Sequence, residues 1–275
     1  MIGIAMTAGK LLQAVDMKKA ILFSVMCCCV LFFIVSSASS SDADSPTVVQ
    51  DGLTYTLTES GDSFTAQVTA WDSTVTEVIV KSSVEYEGQT YHTDAIASNL
   101  FASKTTLKSI TIEPIPGLNL PAGMFQKCTG LETVVLGEGI ETIPKNFCQN
   151  CSSLTRIEFP NTITSIGDTA FQGCTSLREL QLPAGLTYIG QYAFGGSSTT
   201  AAQYVPITTL VIPDSVISID KFAFQACKEL VSVTLGANLE SVGGGAFTGA
   251  NYSTLSKIFT PKNLYPNKLF SIPNI

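Results

Sequence analysis

Few residues in this chain have the type and spacing to do chemistry. Cys148-Gln-Asn-Cys151 has the spacing of a thiol–disulfide couple. Such a couple needs a helix N-terminus or a cation to hold one thiolate. The pair falls inside a repeating segment, and the chain's one histidine, His92, is far off in sequence, so neither a redox couple nor a zinc site is expected. His92 could serve as a general base, but no Gly-x-Ser-x-Gly or other nucleophile motif accompanies it. Gly243-Gly-Gly245 is as pliable as a phosphate loop but lacks that loop's Lys and Ser/Thr. Asn150-Cys-Ser152 and Asn251-Tyr-Ser253 are glycosylation sequons, relevant only to a eukaryotic source. No catalytic residue, metal site or cofactor is therefore expected. What remains is a set of polar and charged side chains at strand-like positions: Thr133, Arg156, Glu158, Glu179, Gln181 and Thr209. These could recognise a partner through ion pairs and hydrogen bonds.

Their placement follows from a period. Phe recurs at 101, 125, 147, 171, 194, 224, 247 and 270. A repeat of about 23 residues marks a solenoid, in which each coil buries its apolar face only by stacking on its neighbours. Each coil carries a strand of the form Leu-x-x-Ile-x-Ile: Leu107–Ile112, Leu131–Leu136, Leu154–Phe159, Leu177–Leu182, Thr209–Ile212, Leu230–Leu235 and Leu255–Thr260. Pro or Gly follows in most coils, and Pro ends a ladder because it has no N–H to donate. Two apolar residues three apart come next, such as Ile163/Ile166 and Leu186/Ile189, then Ala-Phe. Their spacing predicts a short helix or 3-10 turn on the outer side. The strands predict one parallel sheet whose outward residues form two columns. Ser109, Thr133, Arg156, Glu179, Thr209, Ser232 and Lys257 make one; Thr111, Val135, Glu158, Gln181, Val211, Thr234 and Phe259 make the other. The middle of this face is charged and its flanks carry mainly hydroxyls.

Residues 51–95 alternate like antiparallel strands and predict an N-terminal β cap over the first coil, with Gly88 turning a hairpin between Tyr86 and Tyr91. Residues 39–50 are Ser/Asp-rich and predict a linker. Ahead of them, Met17-Lys-Lys19, an apolar run from Ala20 to Val35 and Ser36-Ser-Ala38 form the three parts of a secretory signal over 1–38, with Met17 a possible true start. An uncleaved N-terminal anchor is the alternative, and it is the one expected link to a membrane. Two places break the period: seven extra residues within 195–207, and a last coil that stops near Phe270.

Charged residues make up 13% of the chain and the net charge is −7, which disfavours nucleic acid as a partner. Of eight cysteines, Cys27, Cys28 and Cys29 lie in the apolar leader. Cys128, Cys151, Cys174 and Cys227 fall three or four residues after a repeat Phe, which predicts a ladder of small buried thiols. Ladder neighbours could also approach closely enough for disulfides.

The unit Ile-Gly-x-x-Ala-Phe-x-Gly-Cys-x-x-Leu-x-x-Leu-x-Leu-Pro, nearly unbroken over 166–183, resembles the BspA-type leucine-rich repeat. Parts of it recur at 189–194, 219–235 and 242–247, so the resemblance spans roughly 96–275. Tyr86, Gly88 and Tyr91 are similar to the entry region of such proteins. The resemblance implies a leucine-rich repeat solenoid. It also implies a secreted or surface-exposed protein that binds matrix proteins or other cells, and it supplies no catalytic residues. The expected function is a non-enzymatic binding or adhesion module for an extracellular protein or glycan. The alternative is a structural spacer serving a further C-terminal domain.

Overall fold

The structure, a computed structural model, describes residues 45–196, 204–250 and 257–259. The leader, most of the linker, most of the 195–207 insertion and the coil around Phe270 lie outside the described residues.

The chain opens with β1 (Thr47–Gln50), β2 (Leu53–Ser60), β3 (Ser63–Trp71), β4 (Glu77–Val80), β5 (Ser83–Tyr86) and β6 (Gln89–Ile96). Five of these form a cap sheet in the order β1-β2-β3-β6-β5. Alternation places Leu53, Tyr55 and Leu57 inward and fully buried. Glu87 and Gly88 turn the β5–β6 hairpin with φ of 49° and 82°, the left-handed pair that matches strand twist. His92 lies exposed on β6. β1 occupies the end of the stretch predicted as linker. β4 leaves the cap sheet and pairs in parallel with the first coil strand. Glu113 fastens the junction: its carboxylate accepts the Ser82 N–H at 2.9 Å and meets Lys81 Nζ at 3.1 Å.

The coils add β7 (Ser109–Ile112), β8 (Thr133–Leu136), β9 (Thr142–Ile143), β10 (Arg156–Glu158), β11 (Ser165–Ile166), β12 (Tyr188–Ile189), β13 (Thr209–Val211), β14 (Ser218–Ile219), β15 (Ser232–Thr234), β16 (Ser241–Val242) and β17 (Lys257–Phe259). Every pairing among them is parallel and in step with the repeat, as in Ile157↔Val134 and Val233↔Ile258. The result is a β-solenoid.

The outer side differs from the expectation of a helix or 3-10 turn. Ile166, Ile189, Ile219 and Val242 instead belong to two-residue strands that form a second parallel sheet, in the order β9-β11-β12-β14-β16. Each is followed by separate i→i+3 turns, such as Ala170 N–H to Gly167 O and Cys174 N–H to Phe171 O. Thr169 and Gly173 sit at φ of 54° and 74° as the third residues of those turns, so right-handed helix cannot propagate.

The core is built of columns. The rings from Phe101 to Phe247 follow one another with centroids 5.1 to 6.1 Å apart, and the last three steps, from Phe171 to Phe247, are parallel stacks. The thiols beside them are buried and unpaired by disulfides. Cys128 Sγ donates to Phe101 O at 2.8 Å, and Cys151 Sγ donates to Phe125 O at 2.9 Å. A glycine stands three residues before Ala170, Ala193 and Ala246, where the coils approach closely; Asp220 takes the place before Ala223. A Cβ on Gly190 would lie 2.8 Å from the Asp168 nitrogen of the coil before it.

The main face is not the single sheet expected. β4, β7, β8 and β10 form one sheet, β13, β15 and β17 another, and Leu177–Leu182 between them is not a strand. No backbone hydrogen bond joins 178–182 to β10 or β13 among the described residues. The physical reason lies in its neighbours. Phe159 is the one aromatic in the inward column Ile112, Leu136, Phe159, Leu182, Ile212, Leu235. It is incompletely buried and packs edge-on against Phe171 at 5.7 Å. A ring in an aliphatic column overfills a coil spacing of about 4.8 Å. From the other side Arg178 Nη1 reaches two coils onward to Glu229 Oε2 at 2.9 Å.

Candidate functional site

Strand alternation sets the outward residues. On β7, β8, β10, β13 and β15 the central Ile, Val or Leu points inward, and the flanking positions face solvent or lie half-buried. Arg156 and Glu158 flank Ile157 on β10 and form an ion pair with each other. Glu179 and Gln181 flank Leu180 on the unpaired segment, both exposed. The gap in the sheet brings these four together around one open cleft of about 820 Å³. Its floor is Ile157, Phe159 and Leu182, and Asn161 and Ala184 complete one end. The other two predicted residues lie outside it. Thr133 is beside Arg156 in register on β8, and Thr209 belongs to β13 in the second sheet.

The cleft is electrostatically lopsided. Arg156 is matched by Glu158, and Glu179 has no ion-pair partner among the described residues. Glu229, which holds Arg178, also accepts the Tyr204 hydroxyl at 3.1 Å, and Lys228 Nζ lies 5.5 Å from the centre of the Tyr204 ring. Tyr204 comes from the 195–207 insertion, and the adjoining Val205 and Ile207 are fully buried. The described end of that insertion is thus fixed beside the cleft's outer rim. Sequence patterning missed this Arg178–Glu229–Tyr204 cluster because its members are 25 to 51 residues apart and none repeats. Further along the same face Val211 and Val231 are exposed (56% and 39%), an apolar flank to the charged centre.

The other residues singled out for chemistry are placed against it. Cys148 and Cys151 are fully buried, and burial pushes the Cys148 thiol well above its ordinary pKa. A thiol held in that state is a packing group, since the thiolate is the nucleophile. No cluster of three or more His, Cys, Asp or Glu placed to hold a metal occurs among the described residues. No helix among them is long and apolar enough to cross a membrane.

With the coils, their phase and the sheet on the page, the class of protein is a leucine-rich repeat solenoid. The family model for the BspA type leucine rich repeat region matches residues 94–205 and 200–274 in six copies, and the chain belongs to that family. Among solved structures, a leucine-rich repeat protein from Eubacterium ventriosum is 17% identical with a TM-score of 0.50; the likeness covers 84% of this chain and 55% of that one. The Treponema pallidum leucine rich repeat protein is 22% identical over 76% of this chain and 96% of its own, with a TM-score of 0.46. A leucine rich cell surface protein from Faecalibacterium prausnitzii is 21% identical over 80% and 78%, with a TM-score of 0.37. These likenesses concern the fold. A comparison with curated proteins finds no match.

Proposed function

We propose that this chain is a secreted or cell-surface binding module that recognises an extracellular protein or glycan through the charged centre of its sheet face, without catalysis. One observation carries the reading: Arg156, Glu158, Glu179 and Gln181, from two different coils, converge on one open cleft. The cleft combines ion-pairing groups, an amide and an apolar floor, the mix that fixes a partner's orientation. Arg156, Glu179 and Gln181 are exposed and Glu158 is half-buried, which suits recognition. Membership of the BspA-type family supports a protein-binding role, and the predicted signal over 1–38 supports export.

The test is the triple variant Arg156→Ala, Glu158→Ala, Glu179→Ala, measured against immobilised matrix proteins, glycans and intact cells. Partners captured by the parent chain should be lost from the variant, while its circular dichroism and thermal midpoint stay the same. Undiminished capture by a folded variant would remove the sheet face from consideration.

A further inference from the structure

Resting on that reading, we propose that the cleft is an entry point for an extended polypeptide segment, which docks as an added parallel strand on the free edge of β10. The argument starts from unmet backbone groups. β10 uses one edge on β8, where the Thr155 and Arg156 N–H groups both donate to Glu132 O at 3.0 and 3.2 Å. The repeat places the same receiving carbonyl at Thr155, facing the next coil. Nothing in 178–182 donates to it, although coils on either side make that bond: Glu132 and Thr133 to Lys108 O, Val231 and Ser232 to Thr208 O. An open strand edge with a cleft of about 820 Å³ beside it therefore lies inside a sheet that is otherwise laddered. The outer sheet runs unbroken past the same coil, through Ser165↔Tyr188 and Tyr188↔Ser218, so the coils stay fastened at the back while the front is open.

The chemistry of the occupant follows. Groups that alternate N–H and C=O along an extended line are matched by another extended backbone, with side-chain pockets adding selectivity. A folded sheet cannot reach an edge enclosed between coils on either side; a single extended segment can. Arg156 and Glu158 beside the edge guard it against indiscriminate strand pairing, as charges do on exposed edges. Glu179, without an ion-pair partner among the described residues, selects a segment with a basic residue. Phe159 acts as the wedge that keeps the gap open, and its ring is part of the floor.

The chain's own Leu107–Ile112 segment (Leu-Lys-Ser-Ile-Thr-Ile) has the required features: a parallel strand in the native sheet, with one lysine. A fluorescent synthetic peptide of this sequence, titrated into the purified chain, should bind saturably by anisotropy. In the native ladder the N–H groups that face the preceding strand are those of outward residues, as in Thr133 N–H to Lys108 O. N-methylation at the Ser109 and Thr111 positions should therefore weaken binding about ten-fold or more, whereas N-methylation at Ile110 should change it less than about three-fold. Phe159→Leu should close the gap and abolish uptake while leaving Arg156, Glu158 and Glu179 in place. Absence of binding by the unmodified peptide, equal binding by both methylated peptides, or undiminished uptake by a folded Phe159→Leu chain would each overturn strand docking. Self-association of the chain at the same concentrations would assign the edge to a second copy and overturn it too. Partner capture that depends on the sheet-face triad but not on peptide docking would leave the binding-module reading standing alone.

Discussion

Replacing Phe171 by Ala tests the columnar core where it is most connected. The ring is fully buried and lies 6.1 Å from Phe147, 5.7 Å from Phe159 and 5.2 Å from Phe194. Removing a buried Phe costs about 3–5 kcal/mol through lost transfer energy and the cavity left behind. Each aromatic pair adds about 0.5–1.5 kcal/mol beyond burial, so three broken pairs place this site at the upper end, about 5 kcal/mol. With a urea slope of about 2–3 kcal/mol/M for a domain of this size, the unfolding midpoint should fall by about 2 M. A solenoid transmits stability only between adjacent coils, so the loss should also separate the unfolding of the two halves. Circular dichroism and intrinsic fluorescence from Trp71, which lies in β3 at the N-terminal end, should then give non-coincident curves. A loss under about 2 kcal/mol, with coincident curves, would refute the account of Phe171 as a rung shared by both halves.

Two further outcomes follow from the same columns. Burial pushes the Cys128 and Cys227 thiols up to about 12. Below the ordinary thiol range both folded and unfolded chains are protonated and stability is complete. Between about pH 9 and about pH 12 only the unfolded chain ionises, so stability falls as pH rises. Urea midpoints measured across that range should drop steadily, and an aromatic disulfide reagent at pH 8 should label these thiols only when urea is added; rapid labelling of the native chain would contradict the ladder. In Gly190→Ala the new methyl would sit 2.7 Å from Asp168 Oδ1 and 2.8 Å from the Asp168 nitrogen, displacing the coil contact that Asp168 makes to Gln191 N–H at 2.8 Å. Overpacking of that kind costs about 1–3 kcal/mol, and an unchanged thermal midpoint would show that the coils can separate there freely.

The repeat was legible because its cause is local: one Phe, one small residue and one apolar strand per coil must recur if identical coils are to stack. Buried cysteines were legible for the same reason. The outer face was not, because apolar spacing of three fits a short helix and also fits a two-residue strand followed by a turn. Left-handed residues at Thr169 and Tyr192 decide between them, and neither is a residue type that announces that conformation. The break at 178–182 was also hidden. Leu177, Leu180 and Leu182 match the strand pattern as well as any coil does. The ladder is lost through the size of Phe159 in the coil before and the reach of Arg178 to Glu229 two coils on. Arg156, Glu158, Glu179 and Gln181 could be placed on the outward columns from alternation alone, but their meeting in one cleft depends on that break. β4 reads as part of the cap in the sequence because a period of two is the same in either sheet.

The side-chain amides outside the Phe column add a last consequence. Gln126 Nε2 donates to Gln149 Oε1 at 2.6 Å, and Gln149 Nε2 donates to Gln172 Oε1 at 2.7 Å, so the middle amide is donor to the next coil and acceptor from the last. Such a polar chain has a direction, like the rings and thiols beside it, and it registers only when whole turns are present. Length variation in this chain is therefore quantised. Duplicating or deleting one complete turn leaves the Phe column in register. A gain of any other length, such as the seven extra residues within 195–207, cannot keep every column in register.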